Sequence, residues 1–457
     1  MSGILQHLMA FVTSVVTDPF WTSVSLLLHG DGTNGAQNNT FIDSSTNNFT
    51  VTRSGAPTQG SLSSFTRTAP YSTSVSGGSG YFNGSSQFLS IPNATALQFG
   101  TNDFTVECWF YVTSLVTTSQ GFLCKWGSNA SWEMFLAGTS SGTPNKIVIY
   151  IGTGSGGPNN NVIAGATTVA ANTWYHFAFT RSSGTLRIFL NGTLDGSATG
   201  NTTNFNDTNT LYVGAETGSG LFLNGYLSSA RIVNGTAVYT SNFTPPTAPL
   251  TAITNTSLLL NFTNAGIYDN AMLNDLVTVG TSQVSTTQVK FGTGSMKFNG
   301  TSDWLTAPDT TSLQMGAGDF TIEGWIYLNA IGVDYGIISK GTSSTGWSVN
   351  VTSANNIRFS YTASSLTGST SLAASTWYYF AVVRSGTSSG NVKVYLNAAV
   401  EITSGTAITD TFNQTSILYV GASRTGTTPL NGYVDDLRVT KGVARTISTP
   451  TAAFPNS

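Results

Sequence analysis

Three histidines, two cysteines and twenty carboxylates are the groups with which this chain could do acid–base, nucleophilic or metal chemistry. The histidines, His7, His29 and His176, fall in unrelated contexts. No Ser-His-Asp arrangement, glycine-rich phosphate loop or Cys/His cluster with metal-ligand spacing occurs in the sequence. His176 stands where a second copy of its strand has Tyr379, so it reads as a histidine satisfied by its strand neighbours. Hydrolysis of a glycosidic bond asks for two carboxyl groups across the sugar, one as acid and one as nucleophile or base. Glu107 and Glu323 stand alone on their strands and read as scaffold, so no catalytic residue is assigned and no enzyme is expected. Cys108 and Cys124 lie on consecutive predicted strands; they form a disulfide or pack as two small buried residues. Sugar binding needs an exposed aromatic for the apolar face of the ring, with amide and hydroxyl donors beside it. Trp109, Tyr111, Trp325 and Tyr327 lie on the strand face opposite the expected core and are the candidates. The competing reading packs them under loops or against the other sheet.

The elements that would position these residues come in two copies. Asp103-Phe-Thr-Val-Glu-Cys-Trp-Phe-Tyr-Val112 recurs as Asp319-Phe-Thr-Ile-Glu-Gly-Trp-Ile-Tyr-Leu328. Strict alternation with β-branched and aromatic residues predicts a strand, with Phe104, Val106, Cys108 and Phe110 on one face and Thr105, Glu107, Trp109 and Tyr111 on the other. Asn172–Arg181 matches Ser375–Arg384, Leu186–Gly192 matches Val392–Ala398, and Leu223–Arg231 matches Leu430–Arg438. Val24–Leu28 and Ser257–Leu260 open the two copies, and Asn83-Gly84 and Asn299-Gly300 predict tight hairpin turns. Prolines at 245, 246 and 249 mark a linker near residue 250. The expected organisation is an N-terminal segment over 1–22, a first domain over 23–250 and a second over 251–457. The fold class is all-β: two tandem antiparallel β-sandwich (jelly-roll) domains preceded by a short N-terminal helix.

Charged residues make up only 8%, against about 25% in ordinary globular chains. The net charge is −3, with no basic run, so nucleic-acid binding is not expected. Strand edges with so few charges lack the usual guard against pairing, which predicts a homo-oligomer in which neighbouring subunits cover some edges. Ile4, Leu5, Leu8, Met9, Phe11 and Val12 form an apolar run with helical spacing, stopped by Asp18-Pro19. The run is too short to span a bilayer and has neither the basic start nor the cleavage site of a signal peptide. It is read as a helix that docks on a partner, the alternative being a frayed helix packed on the first domain.

Phe320-Thr-Ile-Glu-Gly-Trp-Ile-Tyr327, Thr376–Arg384, Val394-Tyr-Leu-Asn397 and Leu430–Val439 resemble the concanavalin A-like, laminin-G-like jelly-roll family, in two tandem copies covering nearly all of 23–457. Asp18-Pro-Phe-Trp21 and Val24–Gly32 resemble virion proteins of tailed, particularly marine, bacteriophages, in which such domains follow a particle-attachment segment. The first resemblance implies a Ca²⁺ site at a sandwich rim, which needs several oxygen ligands. In the second domain Asp303, Asp309, Asp435 and Asp436 are the candidates; the first has Gln87, Asn93, Ser228 and Ser229 there. It also implies that a hydrolase would carry Glu-x-Asp-x-x-Glu on one strand, and no such run occurs. The expectation is a non-enzymatic structural and adhesive protein at a virion surface. Its partners would be other virion proteins through residues 1–22, and cell-surface glycans. A secreted or surface bacterial lectin is the alternative, and a glycoside hydrolase stands last.

Overall fold

The computed structural model describes residues 17–456 except 66–71, 73, 128–130, 153–160, 264, 269–275, 343 and 363. The apolar face of each alternating strand must be buried against a second sheet, and the chain does this twice. The first repeat has an eight-stranded antiparallel sheet in the order Thr193–Ala198, Thr185–Leu190, Trp174–Ser182, Phe104–Val112, Asn224–Asn234, Ser79–Asn83, Thr58–Gly60, with the eighth strand, Thr256–Leu260, also paired to Asn224–Asn234. Opposite it lies a seven-stranded sheet: Asn161–Thr168, Lys146–Ile151, Trp132–Leu136, Gln120–Lys125, Leu211–Val213, Phe88–Ile91, Thr52–Ser54. The second repeat has sheets of the same sizes, centred on Phe320–Leu328 and Tyr335–Gly341. The all-β expectation is met. Of the predicted helix, residues 1–16 lie outside the described residues, and the chain enters the fold through a 3-10 turn at Trp21–Ser23.

The inward residues are those the alternation selects. Phe104, Val106, Cys108, Phe110 and Val112 are all fully buried in one core, with Phe320, Ile322, Ile326 and Leu328 their equivalents in the other. Gly324 stands where the first repeat has Cys108 because Leu437 fills the space: a Cβ on Gly324 would meet Leu437 Cα at 3.1 Å and its Cδ1 at 3.2 Å. The first repeat pairs the larger Cys108 with the smaller Ala230 on the neighbouring strand. This difference between the copies is an exchange of core volume.

Two expectations change. Asn83-Gly84 and Asn299-Gly300 do not close hairpins: the strands before them lie in the eight-stranded sheets and those after them in the seven-stranded sheets. The asparagine side chains cap the crossing, Asn83 Oδ1 accepting from Ser85 and Ser86 N–H, and Asn299 Oδ1 from Thr301 and Ser302 N–H. Asn191-Gly192, both at positive φ, does close a hairpin, from Leu190 to Thr193.

The second change concerns the opening strands. Val24–Leu28 pairs with Asn431–Lys441 of the second repeat, and Thr256–Leu260 pairs with Asn224–Asn234 of the first. Each sandwich is completed by the first strand of the other repeat. Sequence position assigns each strand to its own copy; the similarity of the two strands makes either fit either slot. The contacts flanking each strand separate them: His29, just after the first, donates to Asp436, whose counterpart in the first repeat is Ser229.

Candidate functional site

On the outer face of each eight-stranded sheet the single glutamate of the central strand is the hub of a buried polar cluster. Arg231 reaches Glu107 Oε1 through Nη2 at 2.6 Å and Nε at 2.8 Å; Tyr239 donates to Oε2 at 2.9 Å, and His176 Nε2 lies 3.2 Å away. Burial alone would raise this carboxyl, but the bond from His176 and the charge of Arg231 outweigh it and hold it low. In the second repeat Arg438 and the Tyr379 hydroxyl, at 2.5 Å, hold Glu323. Asp18 then bridges Arg438 at 2.8 Å and Arg445 at 2.8 Å, so the N-terminal residues are bonded to the second repeat. Both glutamates are nearly inaccessible, Glu107 at 0% and Glu323 at 3% exposure. His176 is only half satisfied, because its Nδ1 is buried without a partner.

Beyond the glutamates the same face carries aromatics. Trp109 is partly covered, edge-on to Phe65 at 5.9 Å and to His176 at 5.3 Å. Trp325 is buried with Val24, Leu27, Tyr379 and Phe454, with the Lys290 ammonium 3.9 Å from its ring. Trp325 therefore has no ring face to offer a sugar, and Trp109 has part of one; each has a buried indole N–H without a partner. Tyr111 and Tyr327 are different. They are half-buried members of aromatic rows running straight across the strands. In the first repeat Tyr81, Tyr226, Tyr111 and Trp174 stand opposite one another on four strands, with successive centroids 5.0, 5.8 and 5.5 Å apart. In the second repeat Tyr433, Tyr327 and Trp377 repeat the row at 5.7 and 5.5 Å. Asn172 accepts from the Tyr111 hydroxyl at the exposed end. Sequence alternation puts the tyrosines on the right face; the rows depend on register between distant strands, which no local pattern carries.

The outer face of the seven-stranded sheets is where the repeats diverge. Across the first runs Tyr150, Glu133, Cys124 and Tyr212, and across the second Ser360, Ser348, Ser339 and Tyr419. Glu133 is 2% exposed and its Oε2 has no partner. Burial, followed by the charge of Glu216, pushes its carboxyl up to about 9, so it is protonated at neutral pH. Sequence reasoning misses this carboxyl pair, because 83 residues separate its members. In the second repeat the corresponding region is a pocket of about 210 Å³ lined by Ser348, Asn350, Arg358, Ser360, Ser423 and Arg424 among others. Its hydroxyls and guanidinium groups can donate to sugar or anion oxygens.

A family model described as the concanavalin A-like lectin/glucanases superfamily, of laminin-G type, matches residues 83–240 and again 299–446. The chain belongs to this superfamily. Among solved structures, domain 4 of AbnA, a GH43 extracellular arabinanase from Geobacillus stearothermophilus, in complex with arabinotriose, is similar at 15% identity over 39% of this chain and 88% of that one, with TM-score 0.31. Mouse laminin alpha1 chain domains LG4-5 are similar at 10% identity over 82% of this chain and 91% of that one, with TM-score 0.28. The binding domain of Paraclostridial Mosquitocidal Protein 1 is similar at 12% identity over 39% and 47%, with TM-score 0.34. No curated protein matches.

The calcium site that the laminin-G resemblance implies does not form from the four aspartates named for it. Asp303 accepts from Thr281, Asp309 is paired with the Lys340 ammonium at 2.5 Å, Asp435 accepts from Lys290 and Phe291 N–H, and Asp436 holds His29 and Phe454 N–H. Each oxygen set is committed to a different partner, and among the described residues no group of three or more His, Cys, Asp or Glu side chains gathers to hold an ion. Lys340 already supplies Asp309 with a positive charge, and Lys125 fills the equivalent position beside Asp207 in the first repeat. Cys108 and Cys124 are both free and buried, and burial raises both thiols. Cys108 faces the core between the sheets, while Cys124 lies in the outer row with Glu133. The disulfide reading gives way to the small-residue one.

Proposed function

We propose that this chain is a non-enzymatic structural and adhesive protein whose two sandwiches, 23–250 and 251–457 in the order of the chain, present glycan-binding faces. The observation that carries the reading is the pair of aromatic rows, Tyr81, Tyr226, Tyr111 and Trp174 in one repeat and the half-buried Tyr327 and Trp377 in the other, where Tyr433 backs the row from a buried position. The rings of each row are tilted or edge-on to one another, at 49–79°, so the row presents a ridged apolar surface with hydroxyl and indole rims, and set in register it suits successive sugars. The test is a glycan array probed with the full chain and with the double variants Tyr111→Ala/Trp174→Ala and Tyr327→Ala/Trp377→Ala. Binding by the parent chain that falls at least tenfold in a variant with unchanged melting temperature supports the reading. Binding that survives in both variants, or no binding by the parent chain, refutes it.

The setting we infer is the outer surface of a bacteriophage particle, in a homo-oligomer, with residues 1–22 as the attachment segment. The support is the resemblance of Asp18–Trp21 and Val24–Gly32 to tailed-phage virion proteins. A secreted or surface bacterial lectin would use the same aromatic rows, and detection of the chain in purified particles separates the two. Hydrolysis stands last because Glu133, at 2% exposure, is closed to a substrate. Calcium has no part in this reading.

A further inference from the structure

The exchange of opening strands has a feature that glycan binding does not need. Residues 18–37 make their contacts with the second repeat. Asp18 holds Arg438 and Arg445, Val24 and Leu27 pack on Trp325, Leu26 and Leu28 enter the second core, and Asp31 accepts from Thr293 N–H. Gly35 and Ala36 exchange backbone bonds with Val284. The chain changes allegiance at Asn38. Its side chain bonds Ile267 and Leu276 of the second repeat, while its carbonyl accepts from Gln59 N–H of the first. From Asp43 onward the partners are Leu259 and the first core. The return crossing lies alongside: Phe262 packs edge-on to Phe41 in the first repeat, Ile267 is in the second core, and Gly266 N–H between them donates to Gln37.

None of the contacts made by residues 18–37 depends on which chain those residues belong to. We propose that Val24–Leu28 is a transferable donor strand, so that the strand of one copy seats on Asn431–Lys441 of a second copy of this chain and links the two. Three observations carry this. All five donor residues are buried, so the strand is stable only when seated. The slot is a defined length of edge: Ser295–Asn299 pairs with the first part of Asn431–Lys441, and the donor takes the rest of the same side. The chain already hands opening strands between repeats, in both directions, across one short crossing. Moving the crossing from within a chain to between chains keeps every donor contact and rearranges only the residues around 38–43 and 262–267.

The proposal is tested on the full chain carrying Val24→Cys and Thr440→Cys, which are Cα partners in the strand pair. The protein is unfolded, refolded over a range of concentrations, oxidised, and run without reductant. The parent chain is the control for the buried Cys108 and Cys124. Disulfide-linked dimers and larger species whose share rises several-fold with refolding concentration are expected. Cross-links confined to single chains at every concentration would overturn the proposal, as would no cross-link at all, since the strand would then not sit in this slot. Light scattering on the unmodified chain, refolded in parallel, tests the same exchange without the substitutions: multimers that persist on dilution support it, and monomer throughout refutes it.

Discussion

Replacing Glu133 by glutamine should make the first repeat more stable at neutral and alkaline pH and leave it nearly unchanged at pH 5. Burial and the neighbouring Glu216 push the Glu133 carboxyl up from an ordinary value near 4.5 to about 9. The other groups in its row are Tyr150 on one side and Cys124 and Tyr212 on the other, none of them a cation. The sign follows from proton binding. Between pH 4.5 and 9 the folded state keeps the proton and the unfolded chain releases it, so stability falls as pH rises. At about 1.4 kcal/mol per pH unit, the three and a half units from 4.5 to 8 set a ceiling of about 5 kcal/mol. Glutamine cannot ionise, fits the same space, and offers an N–H₂ to Glu216. The assay is urea denaturation at pH 5.0, 6.5 and 8.0, with hydrogen exchange following Trp132–Leu136, because two repeats need not unfold together. The parent chain should lose stability steadily over this range and Glu133→Gln should lose less, the two curves separating by several kcal/mol at pH 8. Parallel curves would mean that the buried carboxyl ionises freely, and the reasoning would fail.

Leu26→Ala should cost about 2–5 kcal/mol, and hydrogen exchange should place the loss in the second repeat, to which Leu26 belongs in space, and not in the first, to which it is nearer in sequence. The joint around His29 should weaken on alkalinisation. Burial opposes the charged imidazole, but the bond and charge of Asp436 outweigh it and raise His29 above 6.5, while burial raises Asp435 to about 7. Stability from His29 is complete below pH 6.5 and lost as pH passes its folded value; Asp435 adds a loss between about pH 4 and 7, so exchange of Leu26–Leu28 amides should accelerate from pH 6 to 8 beyond the intrinsic rate, and a flat profile would refute the assignment. Glu107→Gln should destabilise the first repeat by about 3–5 kcal/mol by leaving Arg231 buried without its carboxylate, measured by urea denaturation.

What the sequence discloses follows the range of the forces involved. Strands and faces are legible because alternation is local: Phe104 to Val112 needs only its own side chains to declare which face is buried. The two-fold repeat is legible because the same physics is solved twice. The aromatic rows, the Glu133–Glu216 pair and the pairing of Val24–Leu28 are not, since each depends on register between segments tens to hundreds of residues apart. The Asn-Gly turns mislead for a related reason. The dipeptide permits more than one conformation: Asn191 and Gly192 are both at positive φ and close a hairpin, whereas at the crossing between sheets only Gly84 is at positive φ and Asn83 uses its side chain as the cap. The aspartates mislead through composition, since a carboxylate that could ligate calcium equally accepts from backbone N–H groups or pairs with a lysine.

The likeness to virion proteins rests partly on Asp18–Trp21 and Val24–Gly32, and those residues have a folding role of their own. Asp18 neutralises two arginines, and Val24–Leu28 completes a core. If the chain attaches through its N-terminal segment, the contact has to come from residues ahead of Asp18, where Ile4, Leu5, Leu8, Met9, Phe11 and Val12 are outside the described residues. Two truncations separate the roles. A chain beginning at residue 17 keeps every donor contact, so it should melt with the full-length chain but fail to enter particles. A chain beginning at residue 39 loses the strand, the Asp18 bridge and the His29–Asp436 bond, and its second repeat should be destabilised whether or not a particle is present. If the shorter deletion alone lowered the melting temperature, residues 1–16 would belong to the fold, and the attachment reading would lose its basis.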